Sequence, residues 1–170
     1  ISLFGDSVYA LTRSGLVVSV VESDDGLRIR NASSELPVGN VSAASLLAHR
    51  RHLIVVSDSG VVWGFRPPAL DRSVQLGTIG EGVRMGSDDS TLFAISTDAV
   101  TTYRVVNDAL VRGSRTHEVA YAEDMYTTED IDYVADPDCG LRSYLRESAT
   151  EEPIGCLGIL LFSELSILPT

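Results

Sequence analysis

Short runs of apolar residues, separated by turn-forming residues, dominate this chain. In the clearest example, Leu53–Val56 and Val61–Phe65 flank the segment Ser57-Asp58-Ser59-Gly60. Val and Ile fit the pleated surface of a strand because they are branched at Cβ. Asp, Ser and Gly supply the local hydrogen bonds and the positive φ that a tight turn needs. The stretch Leu53–Phe65 therefore predicts a β-hairpin.

The same arrangement recurs along the chain. Three further segments consist of two apolar runs around a turn: Val8–Val20, Leu92–Arg104 and Tyr133–Leu145. The corresponding turn positions are 45, 39 and 41 residues apart: Gly15, Gly60, Ala99 and Gly140. A period of about 42 residues with one hairpin per unit is typical of the blade of a β-propeller, which is a sheet of four antiparallel strands.

Weaker strand patterns flank each hairpin. On the N-terminal side we expect the innermost strands of the blades: Ser2–Gly5, Ala43–Ala48, Val83–Gly86 and Glu123–Thr127. On the C-terminal side we expect short outer strands: Leu27–Arg30, Val74–Gly77 and Leu110–Arg112. The blades would occupy roughly residues 1–40, 41–80, 81–120 and 121–155. Residues 156–170 would begin another blade or form a closing strand, with a helix through Leu168 as the alternative.

The sequence thus predicts an all-β protein, a propeller-like array of about four blades of four antiparallel strands. A β-sandwich, which also has frequent turns, is the alternative. The turn carrying Asp58, Gly60 and Trp63 resembles the turn between the second and third strands of WD40-like and quinoprotein-like propellers. The Gly-His and Trp-Asp dipeptides of WD40 blades are absent, so the resemblance implies propeller repeats and no particular protein.

Ring closure is not fixed by the repeat. Propeller rings have four to eight blades, and an unclosed array exposes strand edges that invite pairing. Three arrangements remain open: a piece of a larger propeller, a small closed ring, or an oligomer in which another chain completes the ring.

Composition narrows the classes of partner. The 170 residues are 44% hydrophobic and 22% charged, as in globular proteins, and the formal net charge is −11. Nucleic acids and anionic membranes attract clustered Lys and Arg, so we expect neither as a partner, and no membrane insertion. All 13 basic residues are Arg, which excludes lysine-dependent chemistry such as a Schiff base. No motif for a cofactor is present, and we expect none.

The two cysteines, Cys139 and Cys156, are too few for a disulfide framework. We expect two buried thiols, with a single bridge as the alternative in an oxidising compartment. No signal-peptide pattern begins the chain. The compartment stays open, with an intracellular location slightly favoured over a secreted one.

The densest positive cluster is His49-Arg50-Arg51-His52, in the connection that precedes the second hairpin. Two histidines three residues apart could ligate a metal, but no third ligand follows at suitable spacing and the two arginines repel a cation. We expect no metal site. The other interpretations are an exposed polar loop and a contact with a partner, since Arg is favoured at interfaces.

Acidic residues concentrate between positions 118 and 138 without an intervening Lys or Arg: Glu118, Glu123, Asp124, Glu129, Asp130, Asp132, Asp136 and Asp138. Repulsion within such a run is costly unless it is solvated or neutralised. It predicts a solvated loop face or a docking site for a basic partner. Calcium ligation by Asp136 and Asp138 and a paired-carboxylate site for glycoside hydrolysis are further interpretations.

No nucleophile motif or phosphate loop is present, so we expect a non-enzymatic scaffold that binds another protein, alone or within a larger assembly. Its predicted contact residues come from the two charged segments: His49, Arg50, Arg51, His52, Glu123, Asp124, Glu129 and Asp130. The alternative is an extracytoplasmic ligand-binding or hydrolytic propeller that uses channel-facing acids such as Glu123 and Asp124. A bound calcium ion or a disulfide between the two cysteines would favour this alternative.

Overall fold

The protein is described by a computed structural model that covers residues 1–37, 44–88, 91–146 and 152–158. Within these residues the regular structure consists of strands, which form four antiparallel sheets of four strands each. Sheet 1 contains β1 (Ser2–Phe4), β2 (Ser7–Leu11), β3 (Val17–Ser23) and β4 (Gly26–Ala32). Sheet 2 contains β5 (Ser45–His49), β6 (His52–Val56), β7 (Val61–Arg66) and β8 (Ala69–Thr78).

The second half of the chain repeats this arrangement. Sheet 3 contains β9 (Arg84–Ser87), β10 (Leu92–Ile95), β11 (Val100–Val106) and β12 (Ala109–His117). Sheet 4 contains β13 (Asp124–Thr127), β14 (Ile131–Asp136), β15 (Gly140–Leu145) and β16 (Gly155–Leu157). In every sheet, neighbours in sequence are neighbours in space. This confirms the predicted all-β, propeller-like array of four blades.

The last strand differs from its prediction. The apolar stretch from Cys156 onward was expected to close the ring or to begin a fifth blade, but Gly155–Leu157 pairs with β15 as the outer strand of sheet 4. The fourth blade therefore has the same strand order as the other three. The rest of the predicted segment 156–170, including the alternative helix through Leu168, lies outside the described residues from residue 159 onward.

A side chain at the start of each central turn holds the hairpin together. Thr12 Oγ1 accepts a hydrogen bond from Leu16 N at 3.0 Å, and Ser57 Oγ accepts one from Val61 N at 2.9 Å. Ser96 and Asp136 do the same in sheets 3 and 4. These caps mark equivalent positions in the four sheets better than the turn glycines do. Thr12 is three residues before Gly15, whereas Asp136 is four residues before Gly140, so the glycines are not in equivalent positions.

Gly60 is required by the turn that contains it. Its φ is +77°, and an added Cβ would collide with the backbone of Gly80. The carbonyl of Gly60 also accepts a hydrogen bond from Ile79 N at 2.9 Å. The turn of the second hairpin is therefore packed against the connection that leads into sheet 3.

The buried apolar side chains lie between successive sheets. One cluster joins sheets 1 and 2 through Tyr9, Val17, Leu53, Val55, Trp63 and Phe65. A second joins sheets 2 and 3 through Ile54, Val56, Val62, Leu76, Met85 and Leu92. A third joins sheets 3 and 4 through Phe93, Ile95, Val100, Met125, Val134 and Tyr144. Trp63 thus belongs to the core and is not an exposed binding anchor.

The prediction of two buried thiols is wrong. Cys139, in the turn between β14 and β15, forms a disulfide with Cys156 in β16, with Cα atoms 5.9 Å apart. Cys156 is exposed, and every residue of β16 is solvent-exposed, so burial contributes little to holding this strand. The disulfide joins the short outer strand of sheet 4 to its central hairpin.

We expect loss of this bridge to destabilise sheet 4. In the double variant Cys139→Ser and Cys156→Ser, the free energy of unfolding should fall by about 3 kcal/mol. The reason is that the bridge joins two cysteines 17 residues apart and so closes a loop in the unfolded chain. Urea unfolding measures the change. A reducing agent should lower the stability of the wild type to that of the variant and leave the variant unchanged. Two titratable thiols in the non-reduced wild type would contradict the assignment.

Candidate functional site

The two arginines of the predicted contact cluster occupy the turn between β5 and β6. His49 and His52 face each other at the ends of these strands, and Arg50 and Arg51 connect them. Arg50 has φ of +51°, and both arginine side chains are exposed. Their position allows contact with a partner, and that role stays a prediction.

The two histidines face the neighbouring sheet instead. His49 is only 4% exposed, and its Nδ1 lies 2.8 Å from Ser87 Oγ in β9. His52 Nε2 lies 3.5 Å from a carboxylate oxygen of Asp108, which also accepts a 2.5 Å hydrogen bond from Arg66. The prediction of one exposed four-residue surface is therefore wrong for His49. These polar contacts join sheets 2 and 3 beside the apolar cluster.

Burial lowers the pKa of His49, and the nearby Arg50 guanidinium adds to this effect, although a hydrogen bond with the Asp88 backbone opposes it. The neutral imidazole is thus favoured in the folded protein. In the part of the chain that is described, no group of three His, Cys, Asp or Glu side chains is placed to hold a metal ion.

The acidic segment does not form one patch. Glu123 and Asp124 lie at the start of β13, whereas Glu129 and Asp130 lie in the turn that follows it. The strand between them spans about 13 Å at 3.3 Å per residue. Glu123 is also 3.6 Å from Arg84 of sheet 3. All four carboxylates are exposed, but they form two separate sites at opposite ends of a strand.

Two other acids of the segment are buried and neutralised by arginines. Asp132 is fully buried and forms an ion pair with Arg115, while its carboxylate also lies 2.9 Å from His117 Nε2. Asp136 is buried and forms an ion pair with Arg142. The interpretation of the whole run as a solvated loop face is therefore wrong for these two residues.

Asp132 is the centre of a charge network between sheets 3 and 4. Arg146 Nε lies 3.8 Å from its second oxygen, and the His117 ring stacks on Tyr144 with 4.1 Å between ring centroids. Burial raises the pKa of Tyr144. The sequence separations of Arg115 and His117 from Asp132 are 17 and 15 residues, which no local pattern indicates.

The His117–Asp132 pair resembles the base and orienting carboxylate of a catalytic triad, but it lacks the nucleophile. Among the described residues, the second ring nitrogen of His117 has no hydrogen-bond partner. A Ser or Cys bonded to that nitrogen is what nucleophilic catalysis would require. The geometry fits a buried structural contact between blades.

The first sheet of the array leaves part of one apolar face exposed, although Val18 on that face is buried. Tyr9 and Val17 of sheet 1 pack against sheet 2. The strand pairing places four apolar side chains on the opposite face of sheet 1, which points away from sheet 2: Leu3, Val8, Val20 and Ile29. Leu27, at the outer edge, is 78% exposed. We call this surface the first end face.

The fourth sheet has a second uncovered face. Met125, Val134 and Tyr144 pack toward sheet 3, so the alternating residues of the same strands point away. These are Tyr126, Tyr133, Ala135, Leu141 and Leu157. Tyr126 is 63% and Leu157 70% exposed. We call this surface the second end face; among the described residues, no buried cluster joins it to the first.

We expect the Asp132 network to be essential for the seam between sheets 3 and 4. Asp132→Ala leaves Arg115 without its buried counter-charge, which should lower the free energy of unfolding by roughly 3–5 kcal/mol. Asp130→Ala is a matched control that removes an exposed carboxylate nearby and should change it by less than about 0.5 kcal/mol. Urea unfolding measures both. Equal small losses would show that the network contributes no stability.

We expect His49 to make stability depend on pH. As the pH falls below about 6.5, the unfolded chain takes up a proton at this position while the folded protein, with its lowered pKa, stays neutral. The free energy of unfolding should therefore fall between pH 7 and pH 5. In His49→Gln this pH dependence should be weaker, as measured by urea unfolding across the range. An identical slope in both proteins would contradict the assignment.

The part of the chain that the structure describes contains no helix capable of crossing a membrane.

No known protein family matches the sequence, and no curated protein matches it significantly. Solved structures do share the fold. One is PorZ, described as an essential surface component of the type-IX secretion system of Porphyromonas gingivalis, with 14% identity and a TM-score of 0.62. This likeness covers 94% of the present chain but only 20% of PorZ.

Two other structures are similar over most of the chain. The N-terminal domain of Nup159 has 13% identity and a TM-score of 0.62, with 99% of this chain and 46% of that domain covered. The computationally designed Ika4 protein has 8% identity and a TM-score of 0.60, with 85% and 88% covered. The chain thus spans about a fifth of PorZ and less than half of the Nup159 domain. PorZ and the Nup159 domain are of the propeller type, and at these identities the likeness concerns the fold alone.

Proposed function

We propose that the protein is a non-enzymatic interaction module that joins a larger propeller assembly through its two end faces. The observation that supports this most directly is that large apolar side chains remain exposed on both terminal sheets, such as Leu27 and Leu157. Contiguous exposed apolar surface on a soluble protein marks an interaction site. The other exposed candidates for contact with a partner are the charged pairs Arg50-Arg51, Glu123-Asp124 and Glu129-Asp130.

The two end faces are complementary in type. Val8 and Ala10 are equivalent to Leu53 and Val55 of sheet 2, which pack against the preceding sheet. The first end face therefore suits a preceding blade. Tyr133 is equivalent to Ile54 of sheet 2, which packs against the following sheet. The second end face therefore suits a following blade.

We therefore take a second copy of the chain as the partner. The second end face of one copy would pack on the first end face of the other, which is a heterologous, head-to-tail contact. Such contacts form a closed ring when the rotation that relates the two copies brings the remaining end faces together. Two copies would give eight blades, which is within the range of known propellers. Each copy would bury apolar surface equivalent to that already buried between its own sheets.

The packing of the sheets favours a ring with more than four blades. The inner strands β1, β5 and β9 contact one another in turn, and so do the outer strands β4, β8 and β12. Four blades in a closed ring must diverge by roughly 90° from one to the next, and eight blades by about half of that. Contact between outer strands is easier at the smaller angle.

The comparisons are compatible with a role in an assembly. PorZ is described as a secretion-system component, and the Nup159 domain is from a nucleoporin. Neither role transfers to this chain at the observed identities.

The disulfide favours a second candidate function, an extracytoplasmic ligand-binding propeller. Disulfides persist in oxidising compartments and are rare in the cytosol. We therefore propose an oxidising compartment for this protein, in place of the intracellular location that the sequence slightly favoured. The acids expected to act in a hydrolytic version are exposed, and Glu123 is engaged with Arg84.

Light scattering after size-exclusion chromatography tests the proposed dimer. We expect the mass of two chains for the wild type and of one chain for Leu157→Asp, because a charge in an apolar interface is not compensated. Val106→Asp is the matched control, since Val106 is an exposed apolar residue in sheet 3, away from both end faces, and should leave the dimer intact. A wild type that is monomeric at micromolar concentration would overturn the second copy as the partner.

A further inference from the structure

A cleft of about 300 Å³ lies beside the seam between sheets 3 and 4, and four arginines are among the residues that line it. Its walls come from β11 and β12 of sheet 3, from the end of β15, and from the turn between β5 and β6. The polar side chains that line it are Arg50, Thr91, Thr102, Arg104, Ser114, Arg115 and Arg146. Four arginines thus line one cleft in a protein of net charge −11.

The four arginines differ in what holds them. Arg115 and Arg146 are partly buried and lie beside Asp132, and Arg146 also donates to the carbonyls of Thr128 and Glu129. Asp132 neutralises part of the positive charge of these two arginines, and Arg50 has an interaction of its own. Arg104 is exposed and, within the described residues, forms no ion pair or hydrogen bond. Arg104, Arg115 and Arg146 thus face one carboxylate, Asp132, which leaves positive charge in the cleft without counting Arg50.

Two strands approach each other closely at one wall of this cleft. Gly113 lies in β12 opposite Thr102, and a Cβ at this position would collide with the Thr102 side chain. Thr102 in turn donates a hydrogen bond to the carbonyl of Arg115 at 3.1 Å. Glycine therefore lets the two strands approach closely, and this contact fixes the strand that carries Arg115.

We propose that this cleft binds a phosphate group, either free or as a monoester. Converging guanidinium groups repel one another, and an anion of charge −2 relieves that repulsion. Arginine presents several N–H donors in a planar fork that matches phosphate oxygens in bidentate fashion. The hydroxyl of Ser114 can donate a hydrogen bond to a further oxygen, which a tetrahedral anion has and a carboxylate does not.

The size of the cleft agrees with a small ligand. Sites for small molecules have volumes of about 300–1,000 Å³, and this cleft is at the lower limit. Its lining is polar and charged, which suits a compact anion better than an extended apolar molecule. The inference does not depend on the proposed dimer, since the cleft is formed within one chain.

Isothermal titration calorimetry with inorganic phosphate tests the proposal, at pH 7.5 and low ionic strength. We expect saturable binding to the wild-type chain that weakens as sodium chloride is added, because the contact is ionic. Arg104→Gln should weaken binding about tenfold or more, since it removes charge-assisted hydrogen bonds. Arg72→Gln is the matched control, because it removes one exposed arginine of sheet 2 outside the cleft and should leave binding unchanged.

A parallel titration with succinate distinguishes phosphate from carboxylate ligands. Weaker binding of succinate supports the assignment, whereas tighter binding of succinate overturns it. Equal losses in Arg104→Gln and Arg72→Gln would show attraction by overall charge and would also overturn the site. The site would also be overturned if the wild type, shown to be folded by circular dichroism, did not bind phosphate at a concentration of about 10 mM.

Discussion

Apolar packing between successive sheets is the constraint on which the rest of this structure depends. A lone four-stranded sheet cannot bury both of its faces, so each blade is stable only against its neighbours. Sheets 2 and 3 are covered on both sides by the three apolar clusters. Among the described residues, these clusters cover only one side of each terminal sheet, and large apolar side chains such as Leu27 and Leu157 stay exposed. The ends of the array are therefore where further association lowers the free energy most.

Polar contacts fix how the sheets are aligned along the seams. His49 with Ser87 and His52 with Asp108 join sheets 2 and 3, and Asp132 with Arg115 and His117 joins sheets 3 and 4. Apolar surfaces are tolerant of sliding, whereas a buried carboxylate needs its partners at defined positions. The same Asp132 also anchors two arginines of the cleft, so the seam and the candidate binding site share one buried charge.

Much of the fold could be predicted from the sequence because the signals are local. The hairpins follow from alternating apolar residues around short turns such as Ser57–Gly60, and the inner strand Asp124–Thr127 agrees with its expected position to within one residue. The candidate site was less predictable. Arg50 and Arg51 are exposed as expected, but His49 is covered by β9, which begins 35 residues later in the chain.

The sequence by itself determined the repeat, the strand order and the turn chemistry, since each depends on residues only a few positions apart. The tertiary structure decided which charged residues are buried, because Asp132 is neutralised by Arg115 across a seam between sheets. It also decided that Cys139 and Cys156 meet, because β16 returns to the hairpin that carries Cys139. The two end faces and the arginine cleft likewise exist only once the sheets are stacked, since their members come from strands far apart in the chain.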